Sequence, residues 1–190
     1  MRQDKILTAI SRQSSLMSSL FQQQLDDLER LADLTVHAFN NGHKLIFAGN
    51  GLLAPIAHLN ANLFFYRLRL ERPSLPAVSL GQDAALAFAL ARDGAAQEAF
   101  SRQFQVVAEA GDILLLLADG QHDPAFDLLL DSAKNKECLT VALAPDRSEG
   151  SLLADMVFSM NTQVPAETAQ ATIFFGQLLC EMVENDLFGI

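Results

Sequence analysis

The chain has 190 residues, of which 50% are hydrophobic, so it is long enough to bury a sizeable core. Its formal net charge is −10, and its 13 lysines and arginines are spread thinly along the sequence. Because a nucleic-acid-binding surface needs clustered basic residues, this balance argues against a direct contact with DNA or RNA.

The two cysteines, Cys138 and Cys180, lie in apolar runs without the spacing of a metal-binding or redox motif. We interpret them as reduced core residues, which is typical of a cytosolic protein. The N-terminus lacks the apolar segment of a signal peptide, and no run approaches the roughly 20 apolar residues that cross a bilayer. The sequence therefore predicts a soluble cytoplasmic protein with no membrane partner.

Residues 4–40 contain neither proline nor glycine, and their apolar residues recur at mostly helical spacing. Serines and glutamines between positions 11 and 24 leave only a narrow apolar stripe in this helical segment. Such a stripe has two interpretations, a surface that pairs subunits or a helix that lies on its own domain. We predict a helical oligomerisation segment over residues 1–40 and an α/β core over residues 41–190.

After Gly42, short apolar strands alternate with helical segments. Strands are predicted at 44–48, 77–80, 112–117, 138–143 and 156–160, and helices at 52–67, 83–91, 95–109, 124–135, 149–154 and 167–187. A continuous apolar strand such as 113–117 indicates burial on both faces, as in a parallel sheet. The pattern predicts a single domain, a three-layer α-β-α sandwich with a five-stranded parallel sheet of the doubly wound, flavodoxin-like type.

The first strand runs into a tight turn, Gly49-Asn50-Gly51, and then into a helix. Such a turn directs backbone N–H groups and a helix N-terminus at one point, which suits an anion such as phosphate. The hydroxyl side chains that complete a phosphate cradle are replaced here by Leu52 and Leu53. Asn50 has two interpretations: its amide orients a ligand hydroxyl, or it simply accepts a left-handed turn conformation.

Two further loops are expected at the same edge, because ligands bind outside the carboxyl ends of the strands in open parallel sheets. Asp83 follows the second strand and either caps the next helix or faces a ligand. The loop after the third strand contains Asp119, His122 and Asp123, and Asp123 before Pro124 predicts a helix cap. A carboxylate ~5 Å from a phosphate charge repels it by about 3 kcal/mol at an effective dielectric near 20. We therefore expect a vestigial pocket that has lost or weakened its phosphate site.

Three motifs resemble those of sugar isomerase (SIS) domains: Gly49-Asn50-Gly51, Glu-Arg-Pro-Ser-Leu-Pro-Ala at 71–77 and Ala-Gly-Asp-Ile-Leu-Leu at 110–115. The resemblance extends from about residue 40 to the last helix. It includes the phosphoheptose isomerases and their non-enzymatic relatives, the DiaA proteins, which associate with the replication initiator DnaA. Ser-Leu-Pro at 74–76 and Glu-Asn-Asp-Leu-Phe at 184–188 favour the DiaA-like branch.

The resemblance implies that the catalytic positions of the isomerases are replaced in this chain. Their metal-binding His and Glu fall at Leu59 and Leu63, and the neighbouring His58 is displaced by about 100° around the helix. The Gln and His positions of the last helix fall at Ala169 and Gln177. Because a divalent metal needs several converging N, O or S ligands, we expect no catalytic residues, no metal and no cofactor.

The resemblance also implies partners. Related proteins form homotetramers or dimers of dimers, and in DiaA-like proteins a Leu-Phe pair at the end of the last helix contributes to binding DnaA. The matching residues are Leu187 and Phe188, which either pack on a neighbouring helix or form a partner-binding patch. The leading hypothesis is a non-catalytic oligomeric scaffold that binds DnaA and does not contact DNA.

Two alternatives stay open. One is a weak phosphosugar-binding protein or a phosphoheptose isomerase-like enzyme with an altered pocket, for which Arg92 and Arg147 are the candidates to supply positive charge. The other is an oligomeric paralogue that pairs with an active relative and regulates it. Phe174, near the start of the last helix, is expected to fill the sugar pocket with apolar bulk.

Overall fold

A computed structural model describes residues 2–69, 71–145 and 153–189, which form a parallel β-sheet with helices on both faces. The strands are β1 (Leu45–Gly49), β2 (Ala77–Ser79), β3 (Ile113–Leu117), β4 (Leu139–Pro145) and β5 (Met156–Met160). Their order is β2-β1-β3-β4-β5, and every neighbouring pair is parallel. The predicted fold class is confirmed, and the strand order reverses between β1 and β3, the usual place for a ligand.

The α-helices are α1 (Arg2–Gln23), α2 (Leu25–Asn40), α3 (Ala54–Phe65), α4 (Ala84–Arg92), α5 (Ala99–Val107), α6 (Pro124–Asn135) and α7 (Pro165–Phe188). Short 3-10 helices, Gly51–Leu53 and Ala96–Glu98, replace the first turns of two predicted helices. The helix predicted at 149–154 lies outside the described residues except for 153 and 154, which are not helical. Within the described ranges, no helix is both long and apolar enough to cross a membrane.

The break between α1 and α2 is fixed by the side chain of Gln24. Its Nε2 donates to the carbonyl of Ser159 at 3.0 Å, and its Oε1 accepts from the N–H of Ser159 at 2.9 Å. The amide thus hydrogen-bonds to the free edge of β5 much as a neighbouring strand does. The oligomerisation role of residues 1–40 stays a prediction.

The sheet buries a separate apolar cluster on each face, because successive strand side chains point to opposite sides. Leu45 and Phe47 of β1 pack with α2, α3 and α7, whereas Ile46 and Ala48 pack with α5 and α6. β1 and β3 are buried on both faces, which explains their unbroken apolar sequences.

A buried ion pair joins the loop before β2 to α7. Nε of Arg72 lies 2.6 Å from Oε1 of Glu184, and the two side chains are only 2% and 4% exposed. Arg72 also donates to the carbonyls of Leu63 and Phe64 near the end of α3. Two of the sequence segments that carry the family resemblance, 71–77 and 184–188, are therefore linked inside the protein.

Candidate functional site

The turn after β1 requires glycine at two positions. A Cβ on Gly49 would lie 2.4 Å from the carbonyl oxygen of Leu53, so the chain returns directly over this residue. Gly51 has a φ of +50°, in the left-handed region. Asn50 between them is extended, with φ −95° and ψ 161°, so the interpretation of Asn50 as a left-handed turn residue is wrong.

The side chain of Asn50 is held by Asp119 in a reciprocal pair, which we call the Asn50–Asp119 clamp. Nδ2 of Asn50 donates to Oδ1 of Asp119 at 3.1 Å, and the N–H of Asp119 donates to Oδ1 of Asn50 at 2.9 Å. Oδ1 of Asp119 also accepts from the N–H of Gln121 at 3.0 Å. Asn50 is 7% exposed, so its amide is occupied within the protein. The clamp joins the loops after β1 and β3, where the strand order reverses.

The second carboxylate oxygen of Asp119 covers the turn. Oδ2 lies 3.0 Å from the position that a Cβ on Gly51 would take. A phosphate resting on this backbone would approach the carboxylate and be repelled by about 3 kcal/mol at ~5 Å. The following residue, Leu52, is 73% exposed and its side chain offers no hydrogen bond. The turn keeps the shape of an anion cradle, but the charge above it is negative.

The other carboxylates of this edge are engaged at helix N-termini. Oδ1 of Asp123 accepts from the N–H of Ala125 at 3.0 Å, which confirms the predicted cap of α6. Oδ1 of Asp83 caps α4 by accepting from the N–H of Leu86 at 2.9 Å. Each has a structural partner, and their place in a vestigial pocket stays a prediction.

His122 lies in the same loop and is exposed. Its Nε2 is 2.9 Å from Oδ2 of Asp127 on the first turn of α6. The imidazole of His122 is therefore paired with an acidic side chain on the helix that follows it.

The structure brings together one pair that the sequence did not reveal, His58 and Ser79. Nδ1 of His58 lies 2.9 Å from Oγ of Ser79, which ends β2 and is half-buried. A nucleophilic serine needs a histidine that a third group holds in place. His58 is exposed, and the buried acids of the described chain, Asp112 and Glu184, each pair with a basic side chain instead.

Three of the positions at which the resemblance places metal-ligand or acid–base residues hold leucine or alanine, whose side chains have no ligating atom. Leu59 is 43% exposed, whereas Leu63 and Ala169 pack against the apolar cluster of α2, α3 and α7. In the part of the chain that the structure describes, no three His, Cys, Asp or Glu side chains lie close enough to hold a metal ion. These residues therefore do not fit a divalent metal.

Phe174 contacts α1. Its ring lies edge-on to Phe21 with centroids 5.3 Å apart, and it is 39% exposed. The aromatic contact of Phe174 is therefore one between helices, and its role as a pocket filler stays a prediction. Of the two arginines considered as a source of positive charge, Arg92 is exposed, and its Nε lies 3.2 Å from Oδ1 of Asp93. Arg147 lies outside the described residues.

Both thiols are buried and inert at neutral pH. Burial, aided by the charge of Asp112, raises the pKa of Cys138 to about 11. Burial and the charge of Glu184 raise the pKa of Cys180 to about 12. Both cysteines are free and buried, as their apolar runs predict, and neither thiol is an activated nucleophile, because only the thiolate is strongly nucleophilic.

The end of α7 presents one aromatic ring. Leu187 is half-buried against the apolar cluster of that face, whereas Phe188 is 37% exposed. Gly189 ends the helix with a φ of +67°, and its N–H donates to the carbonyl of Asn185 at 2.8 Å. Of the two predicted partner-binding residues, Phe188 is the one whose side chain is available to a partner.

The fold and this edge together define a doubly wound α/β protein with a phosphate-type turn after its first strand, closed by an acidic side chain. The chain belongs to the SIS domain family, whose family model matches residues 10–144. The predicted resemblance to SIS domains is confirmed.

Named relatives cover almost the whole chain. The phosphoheptose isomerase of Thermodesulfovibrio yellowstonii is 28% identical over 189 residues, which span 99% of this chain and 94% of the relative. That of Trichlorobacter lovleyi is 29% identical over 187 residues and spans 95% of each chain. The solved phosphoheptose isomerase of Francisella tularensis superposes with a TM-score of 0.86 at 21% identity, over 97% of this chain and 99% of that chain. The solved phosphoheptose isomerase of Neisseria gonorrhoeae superposes with a TM-score of 0.82 at 17% identity, over 97% of this chain and 100% of that chain. This chain is a phosphoheptose isomerase-like SIS protein.

Proposed function

We propose that this chain is a non-catalytic SIS-domain protein, a DiaA-like oligomeric scaffold that binds the replication initiator DnaA. The observation that carries the proposal is the Asn50–Asp119 clamp. It occupies the amide that could orient a ligand, and it sets a carboxylate oxygen 3.0 Å from the point where a Cβ on Gly51 would lie. A phosphosugar would have to displace these hydrogen bonds and bind against that charge.

The partner-binding role rests on the end of α7. Phe188 is exposed on the last turn of a 24-residue helix whose Glu184 is fixed by Arg72. An aromatic side chain on a rigid support is a common interface anchor. In a homotetramer or a dimer of dimers, several copies of this weak patch would hold several partner molecules through effective concentration.

Biolayer interferometry with the N-terminal domain of DnaA from the same organism tests the proposal. We expect saturable binding that Phe188→Ala weakens about 30-fold, the effect of losing an anchor worth about 2 kcal/mol. Phe88→Ala is the matched control, because Phe88 is 76% exposed on α4, on the other side of the sheet. Absence of binding at tens of micromolar, or equal loss in both variants, would contradict the proposal.

A phosphoheptose isomerase-like activity is the second candidate, because the relatives that carry that name align over 94% and 95% of their lengths. Incubation of the purified protein with a phosphoheptose and a divalent metal, followed by chromatography of the sugar phosphates, tests it. Turnover above the protein-free blank would favour the enzyme and contradict the non-catalytic proposal.

A further inference from the structure

The two edges of the sheet differ in how they are protected from other chains. An edge strand presents N–H and carbonyl groups to which another chain can add as a further strand. β2, at one edge, has only three residues and directly follows Pro76. A short strand and a proline both protect an edge, because they leave few positions for pairing. β5, at the other edge, has five residues and contains no proline, no glycine and no charged side chain.

The composition and exposure of β5 suit the addition of another strand. Met156, Phe158 and Met160 are buried against the apolar cluster of α2, α3 and α7. Val157 and Ser159 lie on the opposite face of the strand and are exposed. Because successive residues of a strand turn their N–H and carbonyl groups to opposite sides, Val157 and Ser159 present these groups at the free edge. A short uncharged segment of high strand propensity is typical of the strands that add to one another in aggregates.

The side chain of Gln24 occupies one of these two positions. Its amide carries a donor and an acceptor side by side, as a peptide group does, and bonds both the N–H and the carbonyl of Ser159 at 2.9 and 3.0 Å. Nε2 of Gln24 also donates to the carbonyl of Leu20 at 3.2 Å, which holds the amide against its own helix. An approaching strand would therefore find Val157 open and Ser159 closed, and a single position is too short a ladder to hold a strand.

We infer that Gln24 is an edge guard, a side chain that ends the sheet at β5 and prevents another chain from adding there. A side-chain amide suits this role because it satisfies the edge without presenting a new one, whereas a backbone strand would extend the sheet. The break between α1 and α2 places residue 24 beside Ser159. A residue that only orients α1 would, when replaced, cost stability. An edge guard would, when replaced, also permit ordered association through β5.

Thioflavin T fluorescence of the full chain, incubated at the same interval below each variant's melting temperature, tests the edge guard. Gln24→Ala is expected to form thioflavin-positive aggregates about tenfold faster than the wild type, because it loses both hydrogen bonds that close the edge. Gln23→Ala is the matched control. Gln23 is the exposed last residue of α1, so its variant is expected to aggregate no faster than the wild type.

Leu130→Ala separates exposure of the edge from a general loss of stability. Leu130 is 4% exposed in α6 and packs on the other face of the sheet, so its truncation lowers stability while Gln24 remains in place. This variant is expected to melt at a lower temperature but to stay soluble and thioflavin-negative below it.

Val157→Lys, added to Gln24→Ala, tests whether the association uses β5. A lysine on an edge strand opposes pairing, so the double variant is expected to lose the rapid aggregation of Gln24→Ala. Its melting temperature is expected to stay as low as that of Gln24→Ala, because lysine at position 157 does not replace the hydrogen bonds to Ser159.

Four outcomes would overturn the inference. Gln24→Ala could prove as soluble as Gln23→Ala, or Leu130→Ala could aggregate as fast as Gln24→Ala. Val157→Lys could leave the aggregation of Gln24→Ala unchanged, which would place the association away from β5. Aggregates of Gln24→Ala that do not bind thioflavin T would indicate lost packing instead of strand addition. None of these measurements contains DnaA, so a failure here is distinct from a failure of the proposed function.

Discussion

Replacing Asp119 by asparagine separates charge from shape at the turn after β1. An asparagine retains an Oδ1 that accepts from Asn50 and Gln121, so the clamp persists. It removes the negative charge that lies over Gly51. At an effective dielectric near 20, removing one unit charge about 5 Å from a bound phosphate makes the free energy of phosphate binding more favourable by about 3 kcal/mol. Inorganic phosphate should therefore bind on the order of 100-fold more tightly to Asp119→Asn than to the wild type.

Isothermal titration calorimetry with inorganic phosphate in about 0.1 M salt measures this difference. Asp131→Asn is the matched control, since it removes the same charge from an exposed position on α6 and should leave the affinity within about twofold. Asp119→Ser, which also opens space above Gly51, should bind at least as tightly as Asp119→Asn. The predicted repulsion of phosphate by Asp119 is refuted if the wild type already binds phosphate with a submillimolar dissociation constant. It is also refuted if Asp119→Asn and Asp131→Asn bind phosphate with equal affinity.

Two further predictions concern the framework. Glu184→Gln should lower the free energy of unfolding in urea by about 3–5 kcal/mol, because it leaves the charge of the buried Arg72 without a counter-charge. Glu181→Gln, which breaks the exposed pair with Arg69, should cost less than about 1 kcal/mol, and equal losses would contradict the argument. Burial raises the pKa of Cys138 from 9.0 to about 11, so the folded state holds a proton that the unfolded state releases between these values. The free energy of unfolding should fall as pH rises through this range, and it should fall less steeply in Cys138→Ala. Identical slopes against pH in the two proteins would contradict the raised pKa of Cys138.

The sheet was the most predictable part of the fold, because β3 is apolar at every position and only a strand buried on both faces tolerates that. The start of α6 at Pro124 was equally predictable, since an Asp-Pro pair both caps and begins a helix. The break at Gln24 was not predictable from periodicity. It depends on two hydrogen bonds to Ser159, which lies 135 residues away in sequence.

The candidate site was predictable in position but not in contacts. Asn50 and Asp119 follow neighbouring parallel strands, so sequence reasoning placed them at one edge. The conformation of Asn50 depends on its partner across the loop, and no local pattern distinguishes the extended from the left-handed state. The pair of His58 and Ser79 was missed for the same reason, since it forms only where α3 packs against β2.

The buried pair of Arg72 and Glu184 affects how binding data on this protein should be interpreted. Glu184 lies one helical turn before Phe188, so the pair anchors the last turn of α7 and presents that ring on a support ordered before any encounter. A mutational screen that scores only loss of binding would therefore rank Arg72 with the contact residues, although its side chain is 2% exposed. Melting curves of each binding-deficient variant would separate residues that contact a partner from buried residues that support the contact surface, because only the buried ones should lower the melting temperature.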